Sequence, residues 1–154
     1  LVFYMTDCKY FTPEIRCYQD GRVERFFRKK RWTLVANRAN HKDGYNCIQI
    51  DGKSVFRHRI IGFCFHGLNI DDPTEIMDHI NRDRLDNSAG NLRVVTQQQN
   101  LFNTGARGYF WNKTKGKWQG QIYTDGRQIY LGRFVQEADA HQAYLDAKAI
   151  HHVI

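Results

Sequence analysis

The chain has 154 residues, 42% hydrophobic and 14% aromatic, enough for one ordinary core or two small ones and too aromatic for a disordered chain. A formal charge of +7 and a sequence pI near 9.4 favour a polyanionic partner, nucleic acid first among them. Cys8, Cys17, Cys47 and Cys64 are scattered without a Cys-x-x-Cys pair and signal neither a structural zinc site nor a disulfide framework; no apolar run of about 18 residues and no leader pattern is present, so the expectation is a soluble, cytoplasmic protein away from membranes.

In chain order, Val2-Phe3-Tyr4 and Ile15-Arg16-Cys17-Tyr18 read as strands, Asp20-Gly21 as a turn, and Val23 to Phe27 as a further extended segment. From Arg22 to Arg38 seven Lys or Arg stand against one Glu, interleaved with Phe26, Phe27 and Trp32. That run suits a strand pair facing DNA, or else a solvated charged face. Tyr45 to Phe56 reads as a hairpin turning at Asp51-Gly52, and Arg57 to Phe65 as a short helix ending at Gly67, with Ile60, Ile61, Cys64 and Phe65 at helical spacing. His58, at the start of that helix, has two readings: a residue facing a reaction site, or a packed ring beside apolar neighbours.

Glu75 to Ile80 reads as a strand, 81 to 91 as a polar loop, Leu92 to Thr96 as a second strand, and Gln97 to about Asn103 as a helix for which Thr96 is a natural N-cap. The order is β-β-α. Beyond Gly105, three strands follow (Gly108 to Trp111, Lys117 to Tyr123, Gln128 to Phe134), then a helix from about Gln136 to His151. Ala138, His141, Ala143, Tyr144, Ala147 and Ala149 give that helix a small-residue face for packing on the sheet, and Trp118 is expected to anchor sheet to helix.

The β-β-α segment carries a recognisable chemistry. Hydrolysis of a phosphodiester needs a nucleophilic water, a base, and a cation beside the phosphate. Asp78 and Asn100 are hard oxygen donors of the kind that suit Mg²⁺, with Mn²⁺ an alternative; His79 can serve as base, and the Asn91 amide oxygen can accept the proton on one imidazole nitrogen, leaving the other free. Neighbours on a strand face apart, so Asp78 and His79 serve one site only where the strand ends or bends. Arg82, Arg84 and Arg93 are candidates for phosphate contact, against the plainer role of surface solubility.

The array Asp78-His79…Asp86-Asn87…Asn91-Leu92-Arg93…Thr96…Asn100, preceded by Val55-Phe56-Arg57-His58-Arg59, resembles the HNH, or His-Me finger, endonucleases, especially phage, viral and intron-encoded members without structural zinc. The resemblance covers roughly 44 to 103. It implies a divalent-metal-dependent homing-type endonuclease acting on double-stranded DNA, with His79 as general base, Asn91 as its orienter, and Asp78 and Asn100 as metal ligands. Asn100 departs from the many relatives that carry His there.

Residues 106 to 149, through Arg107-Gly108, Gly116-Lys117-Trp118, Tyr130-Leu131-Gly132-Arg133-Phe134 and Ala138…Ala143-Tyr144, resemble the plant ethylene-response-factor (APETALA-type) DNA-binding domain. Matching positions imply a DNA face of Arg107, Phe110, Asn112, Lys117, Gln121, Tyr123, Tyr130 and Arg133. That face is poorer in Arg than the family's own, and fewer guanidinium forks mean less direct guanine readout. Strand alternation independently groups Gln119, Gln121 and Tyr123 opposite Trp118, Gly120 and Ile122.

The expectation is therefore an α+β protein: an N-terminal β-rich basic segment (1–43), a ββα-metal nuclease core (44–104), and a small three-stranded antiparallel sheet plus helix (105–154). It cuts DNA as a monomer or homodimer, the competing reading being a non-catalytic DNA-binding protein with a relic motif.

Overall fold

The computed structural model describes residues 8–27 and 31–153; the strand expected at Val2-Phe3-Tyr4 and the cations Arg28, Lys29 and Lys30 lie outside the described residues. The chain divides into two compact units, Leu1–Gln97 and Gln98–Ile154. Its class is α+β, built from small antiparallel sheets and few helices.

The first unit opens with a four-stranded antiparallel sheet in the order β1-β2-β3-β4: β1 Lys9–Thr12, β2 Ile15–Cys17, β3 Val23–Phe27 and β4 Arg31–Leu34. Alternation sends Ile15, Cys17 and Val23 to the inner face, where all three are fully buried. The other face carries Tyr10, Arg16, Phe26 and Trp32, with the Arg16 guanidinium 4.3 Å from the centre of the Trp32 ring and ion-paired to Glu24 at 2.7 Å.

Two hairpins and a helix complete this unit. β5 Cys47–Ile50 and β6 Lys53–Phe56 pair across the expected Asp51-Gly52 turn, both residues at positive φ. Helix α1, Arg57–His66, follows directly and ends at Gly67. β7 Ile76–His79 pairs with β8 Leu92–Val95 in the register Asp78 to Arg93 and His79 to Leu92. Ile60, Ile61 and Cys64 of α1 with Leu68 join Ile15, Cys17, Val23, Ile48, Met77 and Leu92 in one core. The basic β segment thus shares its hydrophobic interior with the β-β-α elements, and covering the sheet's apolar face is what fixes both.

In the second unit, helix α2 (Gln97–Phe102, beginning one residue before the division) leads to a sheet in the order β11-β10-β9, from β9 Tyr109–Asn112, β10 Lys117–Thr124 and β11 Arg127–Phe134. Helix α3, Glu137–His151, covers one face with Ala140, Tyr144 and Ala147 buried, Tyr144 and Ala147 meeting Ile122, Ile129 and Leu131. This stripe is narrower than the small-residue face expected from sequence. Ala138, His141 and Ala149 are exposed, because only positions 140, 144 and 147 stay in line at 3.6 residues per turn. Close approach is secured at Gly108, where an added Cβ would fall 1.9 Å from the Tyr144 ring. Trp118 is half-buried against Tyr109 and Trp111 at ring distances of 5.9 and 5.4 Å, an aromatic edge beside the aliphatic core rather than its centre.

Candidate active site

β7 ends at His79, and the chain turns away at once: the Arg82 N–H donates to the His79 carbonyl at 2.9 Å, with Arg82 at a φ of 65°. Alternation places His79 on the Met77 side of the strand, toward α1, and Asp78 on the other. Both are buried. The imidazole is walled by rings, Tyr45 at 5.9 Å and His58 at 5.2 Å, with Phe56 stacked on His58 at 5.2 Å.

The imidazole Nε2 meets the Asn87 side-chain oxygen at 3.2 Å. The sequence pointed to Asn91 for this role, but the Asn91 oxygen instead accepts the Asn81 N–H at 3.0 Å, while its amide nitrogen donates to the Asn81 side-chain oxygen at 3.0 Å and the Asp86 carbonyl at 2.8 Å. Asn91 closes the 81–91 loop on itself. Asx turns stiffen the same loop: Asn81 accepts from the Asp83 N–H, Asp83 from the Leu85 N–H, and Asp86 from the Ser88 N–H and hydroxyl. A short 3₁₀ turn, Ala89–Asn91, then delivers the chain to β8.

Asn87 is itself held from the N-terminal segment. Its amide nitrogen donates to the Asn37 side-chain oxygen at 3.3 Å and the Leu85 carbonyl at 3.2 Å, and Asn37 donates to the Leu85 carbonyl at 2.7 Å. Gly21, at a φ of 85°, lies so close that an added Cβ would sit 2.6 Å from the Asn87 carbonyl carbon, and the Gln19 carbonyl accepts the Ala89 N–H at 2.7 Å. Only glycine fits that turn.

Behind it stands Arg57, fully buried, whose guanidinium donates to the Asn46 side-chain oxygen and to the carbonyls of Gly21, Val35 and Ala36 at 2.7 to 3.1 Å. None of these acceptors is a carboxylate, and burial lowers its pKa to about 10. Sequence reasoning missed both supports. Asn87 was visible inside the Asp86-Asn87 pair, and Arg57 between the apolar pairs Val55-Phe56 and Ile60-Ile61 was the available sign of a buried cation.

Burial lowers the pKa of His79 against the opposing pull of Asn87 and of Asp78, Asp86 and Asp83, favouring the neutral ring a base requires. His58 is pushed further, to about 3, first by burial and then by the charges of His79 and Arg59. Its Nδ1 is buried without a hydrogen-bond partner. The unfolded chain protonates this ring near pH 6.5 and the folded chain only near 3, so its contribution to stability is full above about 6.5 and is lost as pH falls toward 3. Lowering the pH from 6.5 to 5 should therefore cost ~2 kcal/mol at this residue. His58→Phe keeps a packed ring without the proton, and urea unfolding at pH 7 and pH 5 should show the variant losing correspondingly less stability than the parent; equal losses would remove His58 as the cause.

Asp78 faces Arg93 across the hairpin, and the guanidinium Nε and Nη2 both reach Oδ2, at 2.9 and 2.8 Å. Arg93, expected at a phosphate, is in this structure the partner of the expected metal ligand. Asn100 lies half-buried on α2, in the second unit. Among the described residues no group of three or more His, Cys, Asp or Glu is placed to hold a metal. The Asp78 carboxylate is by itself a donor of the kind that fits a hard divalent cation, since Mg²⁺ is commonly bound through one or two carboxylates with its remaining positions left to water and substrate.

Of the candidate DNA contacts, Arg82 and Arg84 are exposed on the loop; Arg84 donates to the Asp43 carbonyl at 2.6 Å and lies 5.0 Å from the centre of the Tyr45 ring. Arg107, Phe110, Lys117, Tyr123, Tyr130 and Arg133 are exposed, and Asn112 and Gln121 half-buried, in the second unit. From Phe110 onward these residues share the sheet face opposite α3, while Arg107 precedes β9.

Residues 55–101 match the family model of the HNH endonucleases, less than a third of the chain. A solved structure of the HNH homing endonuclease I-HmuI, described as showing DNA binding and cleavage, is similar to this chain with a TM-score of 0.50 and 21% sequence identity, over 80% of this chain and 76% of that one. At that identity the likeness is one of fold. A search of curated protein sequences finds no match. Among the described residues no helix is long and apolar enough to cross a membrane.

Proposed function

We propose that this protein is a divalent-metal-dependent endonuclease of the homing type, which nicks or cuts double-stranded DNA with His79 as its general base. The match of residues 55–101 to the HNH endonuclease family model supports a DNA-cleaving enzyme. The observation that carries the finer reading is the buried His79 at the end of β7, favoured as the neutral base by burial and fixed through Nε2 by Asn87 in a loop that Asn91 closes. Asn91 is a positioning residue for His79 in this reading, acting through the loop.

The reaction follows from those groups. His79 takes a proton from water, the water oxygen forms a bond to phosphorus, and the opposite P–O bond breaks to leave an oxygen that is protonated from solvent. Asp78 and Asn100 would hold the cation, Mg²⁺ or Mn²⁺, which when bound neutralises charge at the scissile phosphate and leaving oxygen. Arg82 and Arg84, exposed on the loop, would flank the phosphates, with Arg93 beside them through its pairing to Asp78. The 44–104 segment is the nuclease unit of this proposal, the basic β segment 1–43 its structural support, and 105–154 an ethylene-response-factor-like reader whose sheet places the cut. One such site per chain favours nicking, with a double-strand cut needing a dimer or a second turnover on the other strand.

The test is supercoiled plasmid incubated with the protein and Mg²⁺ or Mn²⁺, then with EDTA. Conversion to nicked or linear DNA should need the cation and be lost on its removal, while binding in EDTA persists and weakens with salt. Tight binding with no cutting in any divalent cation would establish the relic reading instead.

A further inference from the structure

From the sheet of the second unit we infer that the target site is read through adenine: Gln121 and Gln128, on the face opposite α3, form an amide pair that recognises adenines in the major groove, so that the protein selects A·T pairs. This rests on the proposed reading of that unit as a DNA reader.

Charge is segregated across the unit. The strands and their turns carry Lys113, Lys115, Lys117, Arg127 and Arg133 against Asp125 alone, whereas α3 carries Glu137, Asp139 and Asp146 against Lys148. The helix seals the Ile122 face and leaves the other open. Three strands spaced about 4.8 Å apart span about 10 Å, within the roughly 12 Å major groove.

The chemistry of the open face is amide and aromatic. Register sets Gln121 beside Tyr130 and Tyr123 beside Gln128. The Tyr123 hydroxyl donates to Gln128 Oε1 at 2.9 Å, and Gln128 Nε2 donates to Gln121 Oε1 at 2.6 Å. An amide oxygen has two lone pairs and an amide nitrogen two protons, so this relay fixes the side chains and leaves Gln121 a second acceptor position beside its two N–H donors. That is the fork that meets adenine, N–H to N7 and oxygen from the N6 amine. Exposed Phe110 and Tyr130 supply apolar edges of the kind that pack on a thymine methyl. Guanine needs two donors at O6 and N7, but on the strands of this face Arg133 is turned to its own sheet, with Nε 3.5 Å from Gln119 Oε1 and its carbon 5.7 Å from the centre of the Tyr130 ring, and exposed Arg107 precedes β9.

The full chain, held in EDTA so that no strand is cut, is offered random-sequence duplexes and the bound fraction is sequenced. Enriched sites should fix adenines, 7-deazaadenine at those positions should weaken binding about tenfold by removing N7 alone, and Gln121→Ala combined with Gln128→Ala should erase the adenine preference, bringing affinity for the selected site down to that for an unselected duplex. Sites that fix guanine, sites without base preference, or an adenine preference that survives in the double variant each overturn the inference and leave the nuclease reading standing. A chain that cuts no plasmid and binds no duplex overturns the reading beneath it as well.

Discussion

His79→Ala should lower the rate of DNA nicking about a thousandfold and leave duplex affinity within about twofold, the range expected when a general base is lost without loss of binding groups. Its ring is buried at a strand end, among Tyr45, His58 and Asn87. A buried imidazole of this kind contributes little to a surface that meets phosphates, so its removal falls on the chemical step. Single-turnover nicking of end-labelled duplex beside filter binding separates the two effects, and a thermal melt confirms that the variant is folded. A parallel fall in affinity, or cleavage within tenfold of the parent, would exclude His79 as the base.

Arg57→Met should destabilise the first unit by about 2–4 kcal/mol, the cost of leaving buried acceptors unsatisfied and a large share of the stability of a typical domain. Methionine fills much of the same volume but leaves the Asn46 side-chain oxygen and the carbonyls of Gly21, Val35 and Ala36 without their donor, in a site closed to water. Arg57→Lys should rescue little, because one ammonium cannot reproduce a planar fork reaching four acceptors. The measurement is urea unfolding followed by tryptophan fluorescence from Trp32, with Trp111 and Trp118 of the second unit replaced by Phe in parent and variant alike. A second consequence is catalytic: Arg57 holds Gly21, Gly21 packs on Asn87, and Asn87 meets His79, so nicking should weaken in either variant at temperatures where the fold persists. A drop of under 1 kcal/mol would mean the carbonyls find other partners.

Much of the secondary structure was legible because it rests on short-range rules. The Asp51-Gly52 hairpin, the helix ending at Gly67, the β-β-α order from Ile76 to Phe102 and the three strands with their helix all follow from period and turn chemistry within a few residues. β1 escaped notice, because Lys9–Thr12 is too short to show alternation, whereas the strand pair suited to the 22–38 run is present as β3 with β4, though the bounds of β4 were hidden in the cationic run; each is a strand because a neighbouring strand supplies its hydrogen bonds.

The sequence by itself determined which chemistry is available: a histidine beside an aspartate at a strand end, asparagines at the spacing of an HNH unit, and a surface dense in cations. Only the tertiary structure decided which residue meets which. Asn81, Asn87 and Asn91 are chemically equivalent along the chain, and the Asx turns of the loop assign Asn87 to the imidazole and Asn91 to the backbone. Arg93 is cationic in any sequence reading, yet hairpin register sets it against Asp78. Arg57 looks like a solvated charge until acceptors 11 to 36 residues away converge on it. The physical reason is common to all three. Residue type and spacing specify donors and acceptors, but a hydrogen bond is specified only when the burial of apolar faces brings distant segments together and excludes the water that would otherwise satisfy them.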